Sequence, residues 1–327
     1  MATERRNTRL APAAPESIRV AAECLRQGGL VAMPTETVYG LAADAMSGQA
    51  VAAIYAAKGR PAFNPLIAHV TGEEQAREHA LFDADAERLA AAFWPGPLTL
   101  VLPVAPGCRV SLLARAGLDT LALRAPDHPV ARALIGAAAR PLAAPSANRS
   151  GHVSPTTAAH VFADLDGRID WILDAGPSLH GLESTIVACL DAGPTLLRPG
   201  AVPLEGIEAA LGRALRHPPE AAAAPNAPGQ LASHYAPRAR LRLAATAVSP
   251  DEAALDFGGA LAAAPSRTRL DLSPSGDLVE AAANLFAHLR ALDEAGVAAI
   301  AAAPIPARGL GVAINDRLRR AAAPRGG

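Results

Sequence analysis

The side chains best suited to chemistry fall in a few short stretches. "IYAAKGRPAFNPL" carries Lys58, Arg60 and Asn64, and Lys58 is the only lysine among 30 Lys+Arg residues. An ammonium is a compact point charge with three rotatable donors, which a planar guanidinium cannot imitate at a crowded phosphate or carboxylate. A lysine in the last turn of a helix also complements the dipole, and that reading stands beside the first. "MPTETVYGLAADA" presents Thr35, Glu36 and Thr37 directly after a strand, where open α/β sheets bind ligands. It also fits a capped helix start. "RPLAAPSANRSGHVSPTT" places Ser146, Asn148, Ser150, Gly151 and Ser154 in a polar loop leading into a helix at Pro155. Such a loop is either an anion site or an ordinary surface connection. Arg124 and Arg198 end apolar strands, and Ser184 and Thr185 begin one. Arginine at the end of a buried strand needs an anionic partner, from protein or ligand. Four cations converging on one cavity would suit a nucleotide and a second anion.

Other chemistries find no support. GxxxxGK[ST], HExxH and GxGxxG are missing, and "GPSLHG" is not the GxSxG elbow. Nine histidines show no metal-ligand spacing; Cys24, Cys108 and Cys189 are far apart and form no CxxC. Neither a zinc site nor a disulfide framework is indicated, which fits a reducing cytosol. A net charge of −1 with 3% aromatics argues against a protein that coats nucleic acid. The first residues lack an apolar h-region and "GVAAIAAAPIP" is too short to span a bilayer, so a cytoplasmic location with no membrane partner is expected.

Alternating strands and helices must position these residues. "SGQAVAAIYAAKG" reads as a helix with Ser47 as N-cap and Gly59 just past its end. "GGLVAMPT", "PLIAHV", "LTLVLPV", "DTLALRAP", "DWILDAG", "STIVACL" and "PTLLRPG" read as strands, with helices at "DADAERLAAAFW", "HPVARALIGAAA" and 158–165. The interleaving indicates an α/β fold, and the close return "STIVACLDAGPTLLR" a mixed sheet. Residues 1–212 form this unit; 213–238, rich in Pro and Ala, read as an extended linker; 239–327 read as a smaller α/β unit.

Taken in order, "PTETVYGL", "KGRP…NPL", "FWPGPLT", "LALRAPDHP", "APSANRSG" and "GLESTIV" resemble the YrdC-like threonylcarbamoyl-AMP synthase family over residues 16–212. "APGQLASHYAP" and "ARGLGVAINDRLRRAA" resemble its long branch, which ends in a Rossmann-like domain, although basic residues that some relatives carry before HYAP are absent. The resemblance implies a YrdC-like twisted mixed sheet with flanking helices and a central cationic cavity. It implies synthesis of L-threonylcarbamoyl-AMP from L-threonine, bicarbonate and ATP, with release of pyrophosphate. A separate tRNA threonylcarbamoyl transferase would use the product on ANN-decoding tRNAs, so that tRNA is only an indirect partner. By the family's pattern Lys58, Arg60, Ser146 and Asn148 mark the active cavity. Threonine contacts fall on Thr37, His69, Arg124, Ala144 and Ser184. ATP contacts fall on Arg60, Asn64, Thr120, Ser146, Ser154 and Arg198, with His234 and Tyr235 in a segment that closes over the nucleotide. Mg²⁺ would be held through the ATP phosphates and not by protein ligands.

The reaction asks for such residues, because three anions must meet and would otherwise repel. A carbamate intermediate also decomposes in water and needs an enclosed site. Two rivals belong to other classes. A non-catalytic RNA-binding module would bind RNA with a steep salt dependence and consume no ATP. A carbamoyltransferase-type domain would be accompanied by acylphosphatase and zinc-finger segments, and this sequence contains neither.

Overall fold

The structure, a computed structural model, describes residues 5–217 and 234–324. Most of the stretch read as a linker, 218–233, lies outside the described residues. The chain opens with β1 (Arg9–Pro12), α1 (Pro15–Arg26), β2 (Val31–Met33), β3 (Gly40–Asp44) and α2 (Gly48–Lys58). β4 (Ile67–His69), α3 (Glu73–Arg77), α4 (Ala84–Phe93), β5 (Leu98–Pro103) and β6 (Thr120–Arg124) follow. Next come α5 (Pro129–Ala138), β7 (Leu142–Ala143), α6 (Ala158–Leu165) and β8 (Trp171–Asp174). β9 (Thr185–Ala188), β10 (Thr195–Arg198) and α7 (Leu204–Leu211) complete the first unit.

These strands form one mixed sheet in the order β1-β8-β2-β3-β7-β4-β6-β5-β9-β10. Side chains alternate between its faces. Leu98, Leu100, Leu102, Leu121, Leu123 and Val187 point into a core shared with Ile54 of α2, Leu89 of α4, Val161 of α6 and Ile207 of α7. On the opposite face α1 and α5 cover only the half built by β2, β3 and β7, through Leu25, Leu134 and Ile135. The other half keeps a small apolar patch of Ile67, Val101, Ala122, Ile186 and Ala188. His69 and Arg124, paired in register, extend that same face at the carboxyl ends of β4 and β6. The gap in the helical cover is where a ligand can reach the sheet.

Local signals explain the helix ends. Ser47 Oγ accepts from Ala50 N, and Gly59 (φ 61°) ends α2 in the left-handed region that glycine tolerates. Two readings need correction. Residues 40–44 are a strand, not part of a turn or a capped helix. "GLAAD" is buried on both faces, between β2 and β7, so it shows no alternation to mark it. The helix read at 158–165 has those bounds, so the loop does not enter it at Pro155; Thr157 supplies the cap by accepting from His160 N.

β11 (Arg240–Arg242), β12 (Ala253–Asp256), β13 (Thr268–Asp271), α8 (Leu278–Glu294), β14 (Ala299–Ala302) and α9 (Leu310–Ala322) build the C-terminal domain. Its sheet, β11-β14-β12-β13, is parallel throughout. β12, "AALD", escaped the sequence reading for the same reason as β3, being buried on both faces. Val38, Val153 and Leu182 of the first domain join the core formed by Leu285, Phe286 and Leu289 of α8. No described helix is long and apolar enough to cross a membrane.

The two domains approach closely at Gly181, where an added Cβ would lie 2.4 Å from Ala283 O and 2.5 Å from Ala282 O, at φ 63°. Gly181→Ala is therefore expected to lower the unfolding free energy by about 1–3 kcal/mol. Urea denaturation reads this directly, and an unchanged midpoint would remove Gly181 from the docking contact.

Candidate active site

Arg124 organises one side of the cavity. Its Nε donates to Gly96 O (3.2 Å), Nη1 to Thr37 Oγ1 (2.9 Å) and Nη2 to Glu36 Oε1. Burial alone would raise the Glu36 carboxyl, but the adjacent guanidinium overcomes it and holds the pKa below the usual value. A guanidinium has five N–H groups, so two remain for a ligand carboxylate. Thr35 donates its hydroxyl to Val38 O (2.6 Å) and accepts from Thr37 at 2.8 Å. Thr37, which also accepts from Arg124, keeps one lone pair. His69 beside them is buried, and its Nδ1 has no partner among the described residues. Burial first, then Arg124, depress its pKa to about 3, so the imidazole is neutral.

The opposite side holds the other two arginines. Arg198 donates through Nη2 to Ser184 O (2.9 Å) and Ser184 Oγ (3.1 Å), while Ser184 Oγ lies 2.7 Å from Thr99 Oγ1. Arg60 donates from Nη2 to Pro65 O (3.2 Å), and its Nε has no partner among the described residues. Burial lowers the Arg60 pKa to about 10 and the Arg198 pKa in the same direction. Asn64 is fully buried with both side-chain polar atoms unpartnered, an expensive state that a ligand would relieve.

Thr37, Arg60, His69, Arg124, Ala144, Ser146, Ser184, Arg198, His234 and Tyr235 all line one cavity. Its volume is about 50 Å³, and the buried His234 and Tyr235 form part of its wall. Burial, followed by the charges of Arg60, Lys58, Arg317 and Arg198, keeps His234 neutral by pushing its pKa well down.

Five expected site residues do not line this cavity. Lys58 is turned away from it: Nζ donates to Ser146 O (2.5 Å), Asn148 O (2.6 Å) and Asn148 Oδ1 (3.3 Å). Its three donors thus hold the Ser146–Asn148 loop, not the α2 terminus. Burial is the main force lowering its pKa, with Arg60 adding to it. Asn148 completes that loop by accepting from Ser146 Oγ (2.6 Å) and donating to His152 O (2.7 Å). Ser154 is fully buried and donates to Glu183 Oε1 (2.5 Å). Thr120 shares the cleft face with Arg124 but begins the strand that Arg124 ends, about 13 Å away at ~3.3 Å per residue. Asn64 likewise stands behind the wall. Sequence reading placed Glu36 at a strand end without a task of its own and did not single out Glu183, although both sit inside the quoted motifs. It also missed Arg317, which reaches Glu183 from the C-terminal domain across 134 residues.

The family model described as "telomere recombination" (Sua5, YciO and YrdC) matches residues 23–200. The model for the threonylcarbamoyl-AMP synthase C-terminal domain matches 202–323. The chain is 43% identical over 321 residues to a threonylcarbamoyl-AMP synthase of Pyrococcus abyssi, covering 93% of each chain. It is 42% identical over 329 residues to that of Bacillus subtilis, covering 94% of this chain and 93% of the other. The crystal structure of P. abyssi Sua5 complexed with L-threonine superposes with a TM-score of 0.87 at 40% identity, over 97% of both chains.

The neutral His69 makes stability depend on pH. Its folded pKa of about 3 lies below the ~6.5 of an unfolded histidine, so between these values only the unfolded chain binds the proton. Its contribution is present above pH ~6.5 and lost as pH falls, at up to about 1.4 kcal/mol per pH unit. Urea unfolding at pH 7.5, 6 and 5 should show this slope, and His69→Gln should flatten part of it. Identical slopes would assign the acid sensitivity to other groups.

Proposed function

Because the chain belongs to the Sua5/YciO/YrdC family and is an enzyme of the threonylcarbamoyl-AMP synthase type, we propose that this cavity is where threonine, bicarbonate and ATP meet. The observation that carries this reading is the meeting of two kinds of surface in one enclosed space. Arg124, Thr37, His69 and Ser184 fit an amino acid with a hydroxyl, and Arg60 and Arg198 fit phosphates.

The two free N–H groups of Arg124 receive the threonine carboxylate, and Glu36 fixes the plane of the guanidinium. Thr37 and Ser184 pair with the substrate hydroxyl and so disfavour valine, whose methyl would bury their remaining polar capacity against an apolar group. His69, held neutral, does not repel the amine. The amine attacks the carbon of bicarbonate, water leaves, and a carbamate remains. A carbamate oxygen then attacks the α-phosphorus, and the bond to the β-phosphate oxygen breaks to release pyrophosphate. Arg60 and Arg198 gather the phosphate oxygens, whose charge repays the desolvation of these buried groups. The adenosine lies along the apolar patch of Ile67 and Ala122 towards Thr120. Lys58 acts through the loop it ties, setting Ser146 at the cavity wall.

Mg²⁺ enters with ATP as part of the substrate. Among the described residues no group of three or more metal-ligating side chains occurs. The nearby carboxylates, Glu36 and Glu183, are already paired with Arg124 and Arg317. The product then passes to a separate transferase that modifies tRNA.

Pyrophosphate release from ATP should require both threonine and bicarbonate, and equal release without them would overturn the reading. Arg124→Lys should raise KM for threonine by about tenfold or more while leaving KM for ATP nearly unchanged. Lys58→Arg cannot converge on three oxygens and should lower turnover by about 10²-fold through misplacement of Ser146. Near-normal turnover would show that any cation can hold that loop.

A further inference from the structure

Arg317 of α9 is fully buried where the two domains meet. Its Nε donates to Glu183 Oε2 (2.8 Å), Nη1 to Asp316 Oδ2 and Nη2 to Pro199 O (3.0 Å). Its guanidinium carbon also stands 5.1 Å from the centroid of the Tyr235 ring. One side chain of the C-terminal domain thus touches the residue before Ser184, the residue after Arg198, and the ring that fills the cavity mouth. Phe286 of α8 stacks on the same ring, with centroids 5.5 Å apart and planes at 28°.

Tyr235 has φ 62°, a left-handed conformation unfavourable for a bulky residue. It persists only because its surroundings hold it. The two groups that clasp the ring, Arg317 and Phe286, both come from the C-terminal domain. A nucleotide does not fit in about 50 Å³, so exchange of ligands requires Tyr235 to leave. Arg317 would stay behind when it does, anchored by Glu183 and Asp316, and so remain in place to recapture the ring.

We propose that Arg317 is a positioning residue through which the C-terminal domain holds Tyr235 in the cavity mouth and sets the rate of nucleotide exchange. The identity of the exchanging ligand rests on the function proposed above; the contact itself does not.

Two amides report on the clasp without any ligand: His234 N donates to Arg320 O (3.2 Å) and Ala236 N to Gly151 O (2.9 Å). In Arg317→Lys, which keeps the charge but loses the planar face, hydrogen exchange at 234–236 should accelerate by about tenfold, with α9 itself little changed. ATP dissociation, followed by stopped-flow displacement, should be about fivefold faster. The same substitution should add nothing in a Tyr235→Ala background, since the contact is already gone. Unchanged protection at 234–236, or effects that multiply in the double variant, would overturn the proposal. Should Arg317→Lys not fold, Tyr235→Leu tests the same clasp from the other side, with the same two outcomes. A wild-type protein that consumes no ATP would refute the function above, while the exchange measurement would still decide the clasp.

Discussion

Three guanidinium groups face one enclosed space, and most of the first domain can be understood as the means of keeping them there. Arg60, Arg124 and Arg198 are all buried, and like charges without water between them repel and lose hydration. The fold answers with carbonyl oxygens from Gly96, Pro65 and Ser184, and with one carboxylate, Glu36. For Arg60 and Arg124 that supply, among the described residues, falls short of full neutralisation. The remainder is a standing demand for anions, and the sheet's uncovered half-face is where anions can enter. A cavity that is costly when empty is already organised for phosphate and carboxylate.

The cations divide the work by shape. Guanidiniums stand at strand ends, where a fork can bind the backbone with one edge and a ligand with the other. The ammonium of Lys58 closes on three oxygens of one loop, a task for a small ion. Reading Lys58 as a helix-end charge and reading it as a ligand-contacting cation both miss this, because its partners lie about ninety positions further along the chain.

What could be read in the sequence was what the chain decides locally. Ser47 and Gly59 mark the ends of α2 because caps are made within a few residues. Strands such as Thr120–Arg124 announce themselves by the alternation of leucine with Thr, Ala and Arg, whereas Gly40–Asp44 and Ala253–Asp256, covered on both faces and rich in alanine, carry no period. The cavity residues were reached through the order of family motifs, since no spacing rule places His69 beside Arg124; strand register does. Thr120 shows the limit of that route: a motif gives its identity, and only the pairing of β6 shows how far it stands from Arg124. Arg317 was beyond reach because Glu183 and Pro199, which it binds, belong to another domain.

The choice of arginine for the cations that line the cavity acquires a chemical meaning once the product is considered. An acyl-adenylate reacts with any free amine it meets, and an unprotected lysine beside it would be carbamoylated by the enzyme's own product. Guanidiniums are poor nucleophiles, so a cavity walled by arginine can crowd charge around the adenylate without attacking it. The one amine retained nearby is wrapped on every side by carbonyl and amide oxygens and offers no open face. The site is built to hold a reactive molecule without becoming its acceptor.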